Sequence, residues 1–185
     1  MPRRSFLAAA GLPFVCGCKK APVPRIAAAS DLVLVLPLIL ESFPGDGPRA
    51  IVTYGSTGKL AQQIENGAPY DVFFAAHERY LVDLEAKGLV LPGSRKVFAH
   101  GLLAVVGQPG CKQGTTLTDL ADPRFKRIAI ANPDHAPYGK AAQEALVKAG
   151  VFSAVGPRLV LADNVQTALT FVRTGNADAA MAARS

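Results

Sequence analysis

Short apolar runs alternate with amphipathic segments along most of this chain. The runs that predict strands are 25–29, 51–54, 71–76, 102–106, 127–131, 158–161 and 177–183. Four segments with helical spacing end at a glycine, and these glycines are Gly67, Gly88, Gly150 and Gly175. A glycine just past the last helical residue is a common helix stop because it tolerates the left-handed conformation. This alternation predicts an α/β protein with mainly parallel sheets and flanking helices.

The apolar run from Leu32 to Leu40 departs from this pattern because it has no polar face. It follows Ser30 and Asp31, both of which are good helix N-cap residues. In a helix that begins at Leu32, Pro37 lies beyond the first turn, removes one hydrogen bond and is expected to kink the helix. The run is too short to span a bilayer, so it predicts a deeply buried, kinked helix.

The first eighteen residues have the features of an export signal. Arg3 and Arg4 precede an apolar stretch that ends in Val-Cys-Gly-Cys, which is similar to a lipoprotein cleavage box. We therefore expect a signal peptide at 1–17, Cys18 as the lipid-bearing first mature residue and a tether at 18–24; an ordinary secretory signal cut nearby is the alternative. Location in the periplasm, or at the outer face of the cytoplasmic membrane through a lipid anchor, follows from this prediction.

Composition and spacing disfavour several function classes. The chain of 185 residues is 50% hydrophobic and carries a net charge of +6, without the basic, aromatic-interleaved stripe of a nucleic-acid-binding protein. Ser56 does not lie in a nucleophile-elbow motif, and the three histidines are too widely spaced to indicate a metal site. Cys111 lacks an evident base partner, although an exported enzyme acting through this thiol is an alternative. We expect a binding protein without a cofactor or a directly bound metal.

Four loops between a predicted strand and a predicted helix offer hydrogen-bond donors. They are Ala29–Asp31, Gly55–Gly58, Asn132–Gly139 and Asp163–Val165. Free N–H groups and the positive end of the helix dipole make a helix start a site for a small anion. Ligands of open α/β sheets lie beyond the carboxyl ends of the strands, where such loops gather. Each loop alone also fits a simple helix cap, so it is their number that favours a ligand.

These loops resemble those of the molybdate-binding proteins of ABC transporters (ModA type). The resemblance covers nearly all of the chain after the signal and rests on the motifs 27–30, 54–58, 62–76, 131–139, 163–165 and 175–179. It implies a two-lobed periplasmic-binding fold of type II that closes on molybdate or tungstate and delivers it to a permease and its ATPase. The expected lobes are 25–101 and 102–180, with 181–185 starting a return into an incomplete first lobe. We expect a monomer.

The resemblance also implies a set of anion contacts. Ser30 and Thr57, with Ser56 beside them, supply hydroxyl and N–H groups from the first lobe, and Tyr138 and Val165 supply N–H groups from the second. Neutral dipoles at helix starts can stabilise a doubly charged oxyanion without a cation. A site built only of donors favours a fully deprotonated anion, with cavity size selecting molybdate or tungstate over sulfate.

One departure and two alternatives accompany this interpretation. In the family, a tyrosine near the last strand often supplies a fifth contact to the anion. The matching position here is Ala183, so we expect that contact to be absent or replaced by another group. A binding protein for sulfate or another oxyanion is one alternative. A truncated remnant without binding activity is the other.

Overall fold

The computed structural model describes residues 23–44, 50–108, 110 and 115–184. The predicted signal peptide, the lipidation site Cys18 and the thiol of Cys111 lie outside the described residues. Every helix within the described residues is too short or too polar to cross a membrane.

The first lobe is built on a three-stranded parallel sheet. Its central strand β1 (Arg25–Ala29) pairs with β2 (Ile51–Gly55) on one side and, because the chain crosses over, with β3 (Val72–Phe74) on the other. The helices of this lobe are α1 (Val35–Glu41), α2 (Thr57–Glu65) and α3 (Glu78–Ala86), preceded by a 3-10 turn at Ser30–Leu32. Side chains alternate across β1, so its central alanines are fully buried between helices on both faces.

The second lobe has a four-stranded sheet in the order β4-β7-β5-β6. These strands are β4 (Leu102–Gly107), β5 (Ile128–Ala131), β6 (Leu159–Ala162) and β7 (Ala179–Arg184). Only the β4–β7 pair is antiparallel. The helices are α4 (Pro137–Lys148), α5 (Phe152–Val155) and α6 (Val165–Arg173), with 3-10 turns at Thr118–Ala121 and Gly156–Arg158. The largest of its apolar clusters includes seven fully buried side chains, which are Leu120, Phe125, Ile128, Ile130, Leu146, Val155 and Met181.

The predicted fold class is confirmed by this architecture. All four predicted stop glycines have positive φ angles, between 72° and 86°, a range that a residue with a Cβ adopts only at a cost. The last strand differs from the expectation that 181–185 begins a return to the first lobe. Strand β7 stays in the second sheet as far as Arg184, where it pairs with Leu102 of β4.

The prediction of a deeply buried, kinked helix at 32–40 is wrong. The run divides into the turn at Ser30–Leu32 and helix α1, so Pro37 falls in the first turn of α1, where N–H groups have no intrahelical partner. Only Leu36 of α1 is buried, against Ile26 and Ala28 of β1, whereas Leu38 is 64% exposed. A short helix that packs on one sheet face buries one stripe, however apolar its other sides are.

Candidate anion-binding site

The carboxyl ends of β1 and β2 face the starts of α4 and α6 across a cleft between the lobes. One small cavity of about 10 Å³ lies there, which is close to the space that a single water needs. All five residues predicted as anion contacts line it, and they are Ser30, Ser56, Thr57, Tyr138 and Val165. Asp31 and Asn164, which the sequence suggested only as capping or loop residues, line it as well.

Three buried hydroxyls form the first-lobe side of the cleft. Ser30 follows β1, Ser56 precedes α2, and Thr57 is the first residue of α2. Their exposed fractions are 5%, 3% and 1%, and within the described part of the chain they are the buried polar residues. Thr57 Oγ1 accepts the N–H of Ala76 at 3.1 Å, which leaves its hydroxyl hydrogen free to donate. Hydroxyls gathered at one spot can donate hydrogen bonds to a polar ligand that enters the cleft.

Two helix starts form the second-lobe side. In α4 the first position is Pro137, so the N–H of Tyr138 is the first donor of that helix. Helix α6 begins at Val165, and Asn164 caps it by accepting the N–H of Thr167 at 3.0 Å. The N–H groups of Tyr138 and Val165 have no partner within their helices. The two helix starts, which are the positive ends of the helix dipoles, therefore lie around the same cavity as the buried hydroxyls.

His135 connects the start of α2 to the second lobe. Its carbonyl oxygen accepts the N–H of Gly58 at 2.9 Å, and its Nδ1 lies 2.9 Å from Ser56 Oγ. A Cβ at position 58 would stand 2.6 Å from that carbonyl oxygen, so only glycine permits this approach. His77, by contrast, caps α3 within its own lobe by accepting the N–H of Arg79.

Two further side-chain pairs cross the cleft. Lys59 forms an exposed ion pair with Asp163, and hydrogen bonding to Lys59 holds the pKa of the Asp163 carboxyl below its usual range. Tyr138 Oη donates to Asp31 Oδ2 at 3.1 Å. Burial raises the pKa of Asp31, and the hydrogen bond from Tyr138 opposes that rise only in part. Burial, followed by the charge of Asp31, raises the pKa of Tyr138, so its hydroxyl keeps its proton at neutral pH.

Asp31 is the site residue whose role the sequence did not predict. Its side chain caps no helix, since the turn at Ser30–Leu32 has no side-chain cap. Its partner lies 107 residues away in the chain, so no local pattern reveals the contact. Within the described residues, no group of three or more His, Cys, Asp or Glu side chains is arranged to hold a metal ion.

Comparison with known proteins identifies the family. Residues 25–185 match the family described as bacterial extracellular solute-binding protein. The chain belongs to this family. Its members bind solutes rather than catalyse reactions, and they act outside the cytoplasm, which confirms the prediction of a binding protein over an enzyme.

Individual relatives of this solute-binding protein agree with the predicted resemblance. It is 38% identical over 180 residues to the molybdate-binding protein ModA of Azotobacter vinelandii, covering 95% of this chain and 69% of that protein. It is 34% identical over 143 residues to ModA of Rhodobacter capsulatus, covering 75% of this chain but only 55% of that protein. The chain therefore spans between about half and two thirds of these relatives. The resemblance to ModA-type proteins is confirmed.

Solved structures support the same assignment. The periplasmic molybdate-binding protein of A. vinelandii superimposes with a TM-score of 0.78 at 34% identity, over 86% of this chain and 71% of that one. The sulfate-binding protein SubI of Mycobacterium tuberculosis superimposes with a TM-score of 0.68 over 87% of this chain and 64% of that one. At 16% identity, that second likeness shows the shared two-lobed fold alone.

Proposed function

We propose that this chain binds molybdate or tungstate in the cleft between its lobes and serves an ABC importer as its extracytoplasmic binding component. The observation that carries the proposal is the set of three buried hydroxyl residues facing two helix N-termini. The relatives named as molybdate-binding proteins support the choice of anion. A permease and its ATPase are the partners this role requires, and a lipid at Cys18 would hold the protein at the membrane.

Neutral dipoles account for anion binding in this pocket. Among the described residues, no lysine, arginine or histidine lines the cavity, and Lys59 and His135, which belong to the adjoining segments, are engaged by Asp163 and Ser56. The hydroxyls of the first lobe and the N–H groups of Tyr138 and Val165 therefore supply the stabilisation. Donors fixed before the ligand arrives need little reorganisation, so they bind an oxyanion effectively in a site that excludes water.

Closure of the lobes around the ligand follows from this arrangement. Hydroxyls come from one lobe and N–H groups from the other, so an anion in the cleft bonds both. Because a tetrahedral oxyanion is larger than one water, the lobes must stand further apart than here when it enters. We expect the lobes then to close until the donors of both reach the bound anion.

Calorimetric titration with molybdate, tungstate and sulfate tests the proposal directly. We expect saturable heat from the first two and much weaker binding of sulfate, with selection by cavity size. Stronger binding of sulfate would favour the alternative of a binding protein for sulfate or another oxyanion. Absence of heat from all three anions would contradict an oxyanion-binding function.

Substitutions at the site separate hydroxyl donors from backbone donors. Thr57→Ala removes a hydroxyl and should weaken molybdate binding by about 10- to 150-fold, the equivalent of ~1.5–3 kcal/mol for a hydrogen bond to a charged group. Thr57→Ser is the matched control because it keeps the hydroxyl.

Val165→Pro removes one N–H at a helix position where proline is well tolerated. The preceding residue, Asn164, is already extended, as a residue before proline must be. We expect weaker binding by Val165→Pro, whereas Val165→Ala, which keeps the N–H, should bind nearly as the parent chain does. Equal affinities of these two variants would show that the Val165 N–H does not contribute to anion binding.

A further inference from the structure

We propose that Asp31 makes anion binding at this site depend on protonation: the oxyanion binds only when the Asp31 carboxyl carries a proton. This inference rests on the proposed function and adds an acidic group to a site otherwise made of neutral donors. Proton uptake would then accompany anion binding.

The geometry places an incompletely satisfied carboxyl at the cavity wall. Asp31 directly follows Ser30 and lines the same cavity as Ser56 and Thr57. Its Oδ2 accepts the hydroxyl of Tyr138 from the opposite lobe. Its Oδ1 is buried and has no hydrogen-bond partner, and it is the one such side-chain atom among residues 23–44, 50–108, 110 and 115–184. A buried carboxylate oxygen without a donor is costly, so Oδ1 requires either a proton or a ligand.

Within the part of the chain that the structure describes, no positively charged side chain contacts Asp31, and His135 of the opposite lobe is hydrogen-bonded to Ser56. Tyr138 is the ionisable group that contacts it, and that hydroxyl stays neutral. The remaining polar side chains of the cavity are hydroxyls and the amide of Asn164. Lys59 is paired with Asp163 on the exposed side of the cleft. An ionised Asp31 would therefore repel an anion in the cavity without being neutralised.

A proton on Asp31 Oδ1 resolves both problems. The carboxyl becomes neutral, and its O–H becomes one more donor towards an oxyanion oxygen, while Oδ2 continues to accept from Tyr138. The proton comes from solvent and returns there when the anion leaves. Burial already raises the pKa of this carboxyl, which lowers the cost of protonation.

Proton linkage makes a quantitative prediction. Above the pKa of Asp31 in the unliganded protein, the affinity for tungstate should fall tenfold for each pH unit, and one proton should be taken up per anion bound. Below that pKa the affinity should be flat. Asp31→Asn keeps the acceptor for Tyr138 and cannot ionise, so its affinity should not vary with pH and should exceed that of the parent chain at pH 9.

The experiment is a calorimetric titration with tungstate from pH 6 to pH 9, in pairs of buffers that differ in ionisation heat. The difference in heat between paired buffers counts the protons taken up. The matched control is Glu41→Gln, which removes an exposed acid of α1 in the same lobe and should keep the pH dependence of the parent chain. Tyr138→Phe removes the hydroxyl that stabilises the ionised carboxylate, so its affinity should begin to fall at a higher pH. Because that readout is a shift along the pH axis, it does not depend on Asp31→Asn folding.

Three results would overturn the inference that Asp31 must be protonated. Binding without proton uptake, or a pH dependence that survives Asp31→Asn, would refute the role of Asp31 and leave the proposed function intact. Failure of the parent chain and of Asp31→Asn to bind at any pH would overturn both. Phosphate bound more tightly than tungstate, with loss of that binding in Asp31→Asn, would show instead that an ionised Asp31 accepts a hydrogen bond from a protonated oxyanion.

Discussion

Gly58→Ala tests whether the close approach of the lobes is needed for anion binding. The added Cβ would lie 2.6 Å from the carbonyl oxygen of His135 and 3.0 Å from its Cα. The first distance is about 0.8 Å short of the 3.4 Å at which ordinary contact begins. Both neighbours are backbone atoms of the opposite lobe, so neither can move aside as the end of a flexible side chain would. The lobes must separate, and the 2.9 Å hydrogen bond from Gly58 N is strained or lost.

We expect Gly58→Ala to raise the free energy of the closed arrangement of the lobes and to leave the free energy of unfolding undiminished. Overpacking typically costs about 1–3 kcal/mol, and if all of it opposes the closed state, anion affinity falls by about 5- to 150-fold. The lobe itself should be no less stable, because alanine is the better helix former by about 1 kcal/mol at a position inside α2. Weak binding with an undiminished free energy of unfolding is therefore the signature.

Titration with tungstate, urea unfolding and small-angle scattering together measure these effects. Gly156→Ala is the matched control, since its Cβ would meet only the ring of Phe152 at 3.7 Å, away from the cleft. That variant should bind as the parent chain does. Parent-like affinity in Gly58→Ala, with an unchanged radius of gyration, would refute the argument that the lobes close against each other here.

Three further predictions concern the framework of the two lobes. Arg158 donates to five backbone carbonyl oxygens around the turn at Thr118–Ala121 and α5, so Arg158→Ala should lower the free energy of urea unfolding by roughly 2–4 kcal/mol, and Arg158→Lys by less. Leu84 of α3 is fully buried, so Leu84→Ala should cost about 2–5 kcal/mol in the same assay, whereas truncation of the half-exposed Val82 to alanine should cost far less. The Lys59–Asp163 pair is almost half exposed, so Lys59→Gln should weaken tungstate binding by no more than about fivefold, and less at high salt. Since the pKa of Asp163 is lowered in the folded chain, the small contribution of this pair to stability should be complete above about pH 4 and lost as the pH falls further, which urea unfolding of the parent chain and of Lys59→Gln across that range would detect.

Local signals in the sequence predicted the elements well. The four stop glycines and the alternating apolar runs are properties of a few neighbouring residues, so they act in the same way whatever surrounds them. The five predicted anion contacts came from the resemblance to ModA-type proteins and remain a prediction. Their motifs lie at strand ends, which the parallel topology collects at one edge, and this is why all five line one cavity.

The apolar run at 32–40 shows where this reasoning stops. Hydropathy predicts that a segment avoids water, but burial also requires a surface that covers it. In the described chain only one face of α1 meets the sheet, so Leu38 stays exposed although Leu36 does not. Whether Pro37 kinks the helix likewise depends on where the helix begins. Because the turn at Ser30–Leu32 delays that start to Val35, Pro37 lies in the first turn of α1 and removes no intrahelical hydrogen bond.

The sequence by itself determined the strands, the helix stops and the donors that can meet an anion, because each depends on interactions over a few residues. The tertiary structure alone decided which groups meet across the cleft. Ser56 and His135 are 79 residues apart, and Asp31 and Tyr138 are 107 apart, so only the packing of one lobe on the other brings them within hydrogen-bond distance. That packing also buries the Asp31 carboxyl, and burial turns an ordinary acidic residue beside Ser30 into a candidate proton-linked part of the site.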